Sequence, residues 1–219
     1  MKYMIPSISM IFVVVLLLNG PAMVYGQDLA CVGIPDLDFS VVWQNFEGWA
    51  TVLISPDGSG SSFTEARAAD GTAVDATIYM TLIYNCDGVG PVVNFPREDM
   101  WLETQGGGVV FCLGGSIADD PTDQDGNTQW SRPLRGGGWD EGACRVVVNG
   151  NYLGSAEGLT VNFNSPDLDG SGYVNLMEVS EFAEDFFSGF TFRSDLYRDG
   201  VLDLSDLVVL AQYFGVSCP

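Results

Sequence analysis

The chain has no histidine and few basic residues. Of its 219 residues, 8 are Lys or Arg and 29 are Asp or Glu, which gives a formal charge of −21. The only lysine is Lys2. Catalytic groups that need histidine or lysine, namely Ser-His-Asp triads, Cys-His pairs and lysine Schiff bases, are therefore excluded from the rest of the chain. The same charge opposes binding to nucleic acid and to anionic membranes, and it attracts divalent cations.

Residues 1–26 have the features of a secretory signal peptide. Lys2 supplies a positive n-region, residues 11–18 form an apolar run, and Gly26 ends a small-residue cleavage site. The run is too short for a comfortable membrane span. We therefore expect cleavage near Gly26 and a secreted, periplasmic or cell-surface protein without stable membrane insertion. Loss of Lys2 shifts the formal charge from −21 to −22, because all 29 acids follow Gly26.

Cysteine is also sparse, and no Cys spacing indicates a zinc site. The five cysteines are Cys31, Cys86, Cys112, Cys144 and Cys218. Disulfides are the expectation for an exported chain. Because five is odd, at least one thiol is left over or pairs between chains. We predict that Cys218 is left over, since the other four belong to the preceding domain, and their pairing stays open.

The chain does contain a repeated unit that resembles a calcium-binding loop. The first copy begins at Asp167 and the second begins 28 residues later, at Asp195. Calcium takes about six to eight oxygens, supplied by loop positions 1, 3, 5, 7, 9 and 12, with Gly at position 6. The first copy has Gly172 at the turn. Its predicted ligands are Asp167, Asp169, Ser171, Tyr173 (through its carbonyl), Asn175 and Glu178. Only Ser171 departs from the strict pattern, so the spacing predicts a calcium site.

The second copy keeps fewer ligands. Its predicted set, around Gly200 at the turn, is Asp195, Asp199, Val201 (through its carbonyl), Asp203 and Asp206. Tyr197 at position 3 offers no carboxylate, and Arg198 adds a positive charge beside the loop. Three interpretations stay open: weak binding, binding only after the first loop is filled, or a relic of the repeat that holds no ion.

The flanks of the loops indicate a family. A strand-like stretch ending at Pro166 precedes the first loop, and helical periodicity appears only after each loop. Two loop–helix units without entering helices resemble the dockerin module, over residues 165–219. The resemblance implies a calcium-ordered helix pair that docks on a cohesin or a similar β-sandwich partner. The implied partner-binding residues are Leu176, Met177, Leu204 and Ser205. The apolar stripes predict a small core of Val179, Phe182, Phe186, Leu207, Leu210 and Phe214.

Residues 29–163 are predicted to be all-β. Alternation is strongest over residues 76–84, which places Ile78, Met80, Leu82 and Tyr84 on one face. Further strand-like runs cover residues 39–43, 50–54, 109–113, 144–148 and 159–163. Short strands separated by Gly and Asp turns favour a β-sandwich.

An Asp-Gly turn in residues 122–130, taken with residues 144–150, resembles bacterial immunoglobulin-like domains of the invasin type. The expected fold is therefore multidomain: an all-β immunoglobulin-like sandwich, followed by a small α-helical dockerin/EF-hand-like pair.

These features predict an exported bacterial calcium-binding protein that is not an enzyme and that binds or assembles with a partner at or outside the cell envelope. One alternative is a carbohydrate-binding component of a polysaccharide-degrading complex. All five tryptophans lie in the β region, and exposed Trp can stack on sugars, although core packing is the simpler explanation. A small glycosidase with paired carboxylates is a further alternative, but no local pattern picks out such a pair.

Overall fold

The computed structural model describes residues 33–86, 88–154 and 157–219. The proposed signal peptide and Cys31 lie outside these ranges. The described residues are mostly β, with two α-helices, and none of these helices is long and apolar enough to span a bilayer. The strands are β1 (Val41–Gln44), β2 (Ala50–Leu53), β3 (Ala66–Ala68), β4 (Ala73–Val74), β5 (Ile78–Thr81), β6 (Ile83–Asn85), β7 (Val89–Pro91), β8 (Met100–Thr104), β9 (Val109–Phe111), β10 (Asn127–Trp130), β11 (Gly136–Gly138), β12 (Cys144–Val148), β13 (Asn151–Leu153) and β14 (Val161–Asn164), and the helices are α1 (Leu176–Ser188) and α2 (Leu204–Gln212).

The strands form small sheets that are compatible with a β-sandwich-like domain. Their orders are β1-β5-β10, β13-β12-β8, β14-β2-β3-β4, β11-β9 and β6-β7. The pairing of β14 with β2 is parallel, and the other ladders between these strands are antiparallel. We call residues 33–164 the β-rich region and residues 165–219 the C-terminal segment.

The strongest predicted strand is split in two at Leu82. Ile78, Met80 and Leu82 are fully buried, as the alternation predicts. The Leu82 N–H donates to the Gly126 carbonyl (2.8 Å), whereas the Leu82 carbonyl accepts from the Val92 N–H (2.9 Å). The chain therefore changes partners at this residue, and β5 ends where β6 begins.

The main core fills the β-rich region with large apolar side chains. Trp130, Phe63 and Phe163 are fully buried. The Phe163 ring makes edge contacts with Phe63 (6.3 Å between centroids) and Phe111 (6.1 Å). Trp130 Nε1 donates to the Ser116 carbonyl (3.0 Å), so the polar atom of this buried ring is satisfied.

The C-terminal segment covers one face of the sheet that contains β2. Successive side chains of a strand point to opposite faces. Val52 accordingly lies in the main core, whereas Leu53 lies in a second buried cluster with residues of the C-terminal segment. The other buried members are Leu168, Val174, Phe182, Leu196 and Leu210. The second cluster is therefore shared between the two parts of the chain.

The predicted helix-pair core is only partly correct. Phe182 and Leu210 are buried and Leu207 packs against them, but Val179, Phe186 and Phe214 are exposed. The reason is that the helices pack toward Leu53 and the loop residues Leu168 and Leu196 as well as toward each other, which turns part of each predicted stripe to solvent.

The prediction for Cys218 is wrong. Cys218 forms a disulfide with Cys112, whereas Cys144 is a buried free thiol. After α2 the chain turns back along the first loop, where the Val174 N–H donates to the Val216 carbonyl (2.9 Å). This return brings Cys218 to Cys112, just beyond β9. Cys86 is disulfide-bonded as well, and burial raises the pKa of the Cys144 thiol.

Candidate metal centre

The first loop rests on a run of glycines in β11. The Gly138 N–H donates to the Asp167 carbonyl (2.6 Å). A Cβ atom at Gly137 would lie 1.7 Å from Asp167 Oδ2, so no larger residue fits there without moving the loop. No role for this glycine run was predicted from the sequence, although three consecutive glycines (136–138) indicate a close approach of two backbones.

Three carboxylates of the first loop converge. One oxygen each from Asp167, Asp169 and Glu178 lies within 4.8 Å of the other two. Calcium binds oxygen at about 2.3–2.6 Å, so two oxygens on one ion are separated by at most about 5 Å. The spacing therefore fits a single ion among the three side chains.

Glu178 is held in place by one of its oxygens and leaves the other without a partner. It is fully buried at the start of α1, where its Oε2 accepts from the Asn175 N–H (2.5 Å) in a capping box. Its Oε1 is also buried, and among the described residues no N–H or hydroxyl group donates a hydrogen bond to it; only the neighbouring Asp169 carboxyl could share a proton with Glu178. A buried carboxylate oxygen without a donor is costly unless a cation or a proton meets it.

The pKa shifts of the loop acids also favour a bound cation. Burial raises the pKa of Glu178, and the charges of Asp169 and Asp167 raise it further. Burial also raises the pKa of Asp167, and the adjacent Asp169 carboxylate adds to this shift. The pKa of Asp169 is instead lowered, against the effect of burial, by hydrogen bonds from the Ser171 N–H and hydroxyl. The Asp169 charge therefore opposes the ionisation of Asp167 and Glu178 when no cation is bound.

The other predicted ligands of the first loop lie around these acids. The Ser171 N–H donates to Asp167 Oδ1 (3.1 Å), and its hydroxyl reaches the Tyr173 carbonyl (3.2 Å). Asn175 caps α1, since its Oδ1 accepts from the Met177 N–H (2.9 Å). The Gly172 N–H donates to Asp167 Oδ2 (2.8 Å) from a left-handed conformation at φ 81°, which explains the glycine at position 6.

The second loop has the same backbone frame, with more of its carboxylate oxygens occupied. Asp195 Oδ1 and Oδ2 accept from the N–H groups of Asp199 (3.1 Å) and Gly200 (2.9 Å). Both oxygens of the buried Asp206 accept backbone N–H bonds, from Tyr197 and Asp203, each at 2.8 Å. Among the described residues, the acids of this loop do not form a converging group of three.

The remaining predicted ligands of the second loop are bound within the loop itself. Asp203 Oδ1 accepts from the Ser205 N–H (2.6 Å) and caps α2. Asp199 Oδ1 accepts from the N–H of Val201 (3.0 Å).

Arg198 attaches the second loop to the β-rich region. Its guanidinium donates to Ser61 Oγ (2.8 Å) and to the Thr51 carbonyl (3.4 Å). Burial lowers its pKa to about 10, and the nearby Arg67 charge contributes to that shift. Arg67 in turn lies over the Tyr197 ring, 4.5 Å from its centroid. Positions 3 and 4 of this loop therefore make contacts with the β-rich region.

The predicted partner-binding residues lie at the starts of the two helices. Leu176, Met177 and Leu204 are exposed over 69%, 56% and 67% of their surface, and Ser205 is half-buried. Leu176 and Leu204 occupy equivalent positions of the repeat. Neither side chain belongs to the second cluster, to which the helices contribute Phe182 and Leu210 instead.

The chain matches no known protein-family profile, no curated protein and no solved structure.

Proposed function

We propose that this chain is a calcium-binding protein whose C-terminal segment acts as a dockerin-like module beside an immunoglobulin-like β-sandwich. The ion would be held by the first loop, through Asp167, Asp169 and Glu178, with Ser171, the Tyr173 carbonyl and Asn175 completing the set. The observation that carries the proposal is the convergence of three carboxylates around a buried Glu178 oxygen to which no N–H or hydroxyl group of the described residues donates a hydrogen bond.

The ion supplies positive charge that offsets the mutual repulsion of three buried or crowded carboxylates. The chain itself supplies the frame: Gly137 admits Asp167, Asn175 orients Glu178, and Gly172 turns the loop. Because the Asp167 backbone is bonded to β11, an ion in this loop would stabilise the attachment of the helices to the β-rich region. Oxygen-only ligands of this kind favour calcium over transition metals.

The second loop is a weaker candidate for an ion. Asp195, Asp199, the Val201 carbonyl, Asp203 and Asp206 keep the ligand spacing, but both Asp206 oxygens already accept hydrogen bonds. We expect it to bind calcium weakly, after the first loop.

The proposed partner is a cohesin-like or similar β-sandwich protein, bound through Leu176, Met177, Leu204 and Ser205. Support comes from the exposure of the three apolar members at the ends of the calcium loops, where an ion would fix their positions. The chain's charge of −21 favours a partner with an apolar patch and a neutral or basic rim. Packing on the chain's own β-rich region leaves this surface open, so self-attachment and partner binding do not compete for it.

Export with signal-peptide cleavage near Gly26 is part of the same proposal. The disulfide between Cys112 and Cys218 supports it, because such bonds persist mainly in oxidising compartments.

Isothermal titration of the chain from Gln27 onward with calcium tests the metal proposal. We expect one tight site per chain, a weaker second one, and much weaker binding of magnesium, which demands a small octahedral site. The control is Asp167→Asn/Glu178→Gln, which should lose the tight site and keep the fold in calcium-free buffer. A wild-type chain that takes up no calcium would refute the proposal.

Partner binding is tested with Met177→Asp/Leu204→Asp against purified cohesin-type domains from the same genome, with calcium present. We expect the double substitution to abolish capture while calcium affinity and helicity are retained. Val89→Asp, at a residue 63% exposed on β7, is the matched control and should bind normally. Equal capture by the double variant and the control would show that Met177 and Leu204 are not part of the interface.

A further inference from the structure

A row of aromatic and polar side chains crosses the outer face of the sheet β1-β5-β10. The strand registers place Trp43 opposite Tyr79, and Tyr79 opposite Gln129. Two residues further along, Thr81 lies opposite Asn127 on the same face. We call Trp43, Tyr79, Thr81, Asn127 and Gln129 the aromatic platform. Its rings are nearly parallel, with an interplanar angle of 22° and centroids 5.6 Å apart.

The platform has a rigid base. The alternate residues of the same strands point inward, and Ile78, Met80 and Trp130 are fully buried. A surface whose opposite face is packed core is held in place before any ligand arrives, which reduces the entropy lost on binding. Trp43 nevertheless keeps 46% of its surface exposed.

A loop after β9 turns the platform into a cleft. Asp120, Pro121 and Asp123 line it together with Trp43, Tyr79 and Gln129, around a volume of about 490 Å³. This lies within the range of small-molecule and oligomer sites, about 300–1,000 Å³. Asp123 is fixed by the N–H groups of Asp125 (2.9 Å) and Asn127 (2.8 Å), so the wall is ordered by its own turn.

The chemistry of the cleft selects its ligand. Trp43 is exposed and Tyr79 is half-buried, and the electron-rich faces of aromatic rings attract the C–H groups on the flat face of a pyranose. The surrounding amide, hydroxyl and carboxylate groups can both donate to and accept from sugar hydroxyls. Asp120 and Asp123 repel anions, so phosphorylated, sulfated or uronic ligands are disfavoured. The exposed apolar surface of this face comes from Trp43, Tyr79 and the neighbouring Val41, and a protein partner would need a larger one.

We propose that the aromatic platform binds a neutral pyranose polysaccharide, with Trp43 and Tyr79 stacking on sugar rings and Gln129 bonding to sugar hydroxyls. The site is separate from the calcium loops, and its success or failure leaves the calcium proposal untouched.

Affinity electrophoresis tests the proposal, with native gels cast with xylan, hydroxyethylcellulose, galactomannan or soluble starch and calcium in every buffer. We expect at least one polysaccharide to retard the wild-type chain, and Trp43→Ala to weaken that retardation about tenfold or more, in line with the loss of one stacking contact. Trp49→Ala is the matched control, because Trp49 is equally exposed at 46% but lies outside the platform. It should migrate like the wild type.

Gln129→Ala provides a second variant that removes no aromatic ring, and it should weaken retardation by about three- to tenfold. Retardation by none of the four polysaccharides overturns the proposal, as does equal retardation of wild type and Trp43→Ala. Stronger retardation by polygalacturonate than by the neutral polymers overturns the neutral-sugar assignment. Retardation in gelatin gels alone would instead indicate a protein ligand and would also overturn it.

Discussion

The two loops share a backbone and differ in what their side chains do. Position 12 differs by one methylene. Glu178 caps its helix with one oxygen, and its other oxygen has no N–H or hydroxyl donor in the described part of the chain, whereas Asp206 uses both oxygens in hydrogen bonds. Position 4 is left-handed in both loops, at φ 69° for Gly170 and 61° for Arg198. In the first loop the glycine fits beside β11, and in the second the arginine reaches into the β-rich region. The repeat therefore preserves a turn geometry, while its first copy brings three carboxylates together and its second copy anchors the C-terminal segment to the β-rich region.

Removal of the disulfide should have the largest effect on stability. Cys112 and Cys218 are 106 residues apart, and cross-links over long loops typically stabilise by about 2–4 kcal/mol. The bond also holds the C-terminal residues against the first loop, where the Cys218 N–H donates to the Gly172 carbonyl (2.9 Å). We expect Cys112→Ala/Cys218→Ala to lower the free energy of unfolding by this amount in urea denaturation. Cys144→Ala, which keeps the disulfide, is the comparison, and a double variant of wild-type stability would contradict the prediction.

Substitution of the position-12 acids tests the ranking of the loops directly. Glu178→Gln should weaken the tight calcium site by about tenfold or more, at least about 1.4 kcal/mol. Asp206→Asn should change that site by less than about threefold, because its oxygens already serve the backbone. Isothermal titration of both variants measures the difference. Equal or reversed losses would refute this ranking of the two loops.

Two substitutions of Arg198 separate the cost of its left-handed backbone from the contribution of its hydrogen bonds. Both Arg198→Ala and Arg198→Gly lose the bonds to Ser61 and Thr51, but only glycine relieves the left-handed conformation. Left-handed backbone costs a residue with a Cβ about 1–2 kcal/mol. We therefore expect the alanine variant to be less stable than the glycine variant by about 1 kcal/mol in thermal or urea unfolding. Identical stabilities would mean that the loop relaxes when the arginine is removed.

The pH dependence of the calcium-free chain should show the smallest effect. Glu178 has a raised pKa in the folded chain, first because of burial and then because of the charges of Asp169 and Asp167. The folded state therefore binds this proton more tightly than the unfolded state, and its contribution to stability is present at low pH and lost as the pH rises through the raised pKa. Glu178→Gln carries no such charge and should be more stable than the wild type by about 1 kcal/mol near pH 7 without calcium.

That advantage should shrink as the pH falls through the raised pKa of Glu178, because the wild-type carboxyl then takes up its proton. In saturating calcium the order should reverse, because the ion needs the ionised acid. Urea denaturation of chelated, desalted protein at several pH values measures both trends. A wild type that is the more stable chain under calcium-free, neutral conditions would refute the proposed repulsion.

Local patterns predicted the features that depend on local spacing. The alternation around Ile78 and Met80 predicted a buried strand face, and both side chains are buried. The ligand spacing of the first loop predicted that Asp167, Asp169 and Glu178 lie close together, and their carboxylates do converge. Features that depend on distant parts of the chain were not predicted. The pairing of Cys112 with Cys218 requires the chain after α2 to return along the first loop, and nothing near Cys218 in sequence indicates that return. The close packing of Asp167 on Gly137 and the hydrogen bond from Arg198 to Ser61 could not be predicted either, because both depend on how the sheet folds.

The link from Cys112 to Cys218 also determines how the molecule would respond to mechanical force. Only the short stretch after Gln212 lies between the end of α2 and Cys218, and six residues extend to at most about 20 Å. A pull on α2 would therefore pass through this short covalent path to Cys112, just beyond β9. Strands β10 to β14 lie on the longer arm of the same closed ring, so they cannot be drawn out while the disulfide is intact. Under tension, an oxidised chain would keep these strands folded, whereas a reduced chain could lose them one after another.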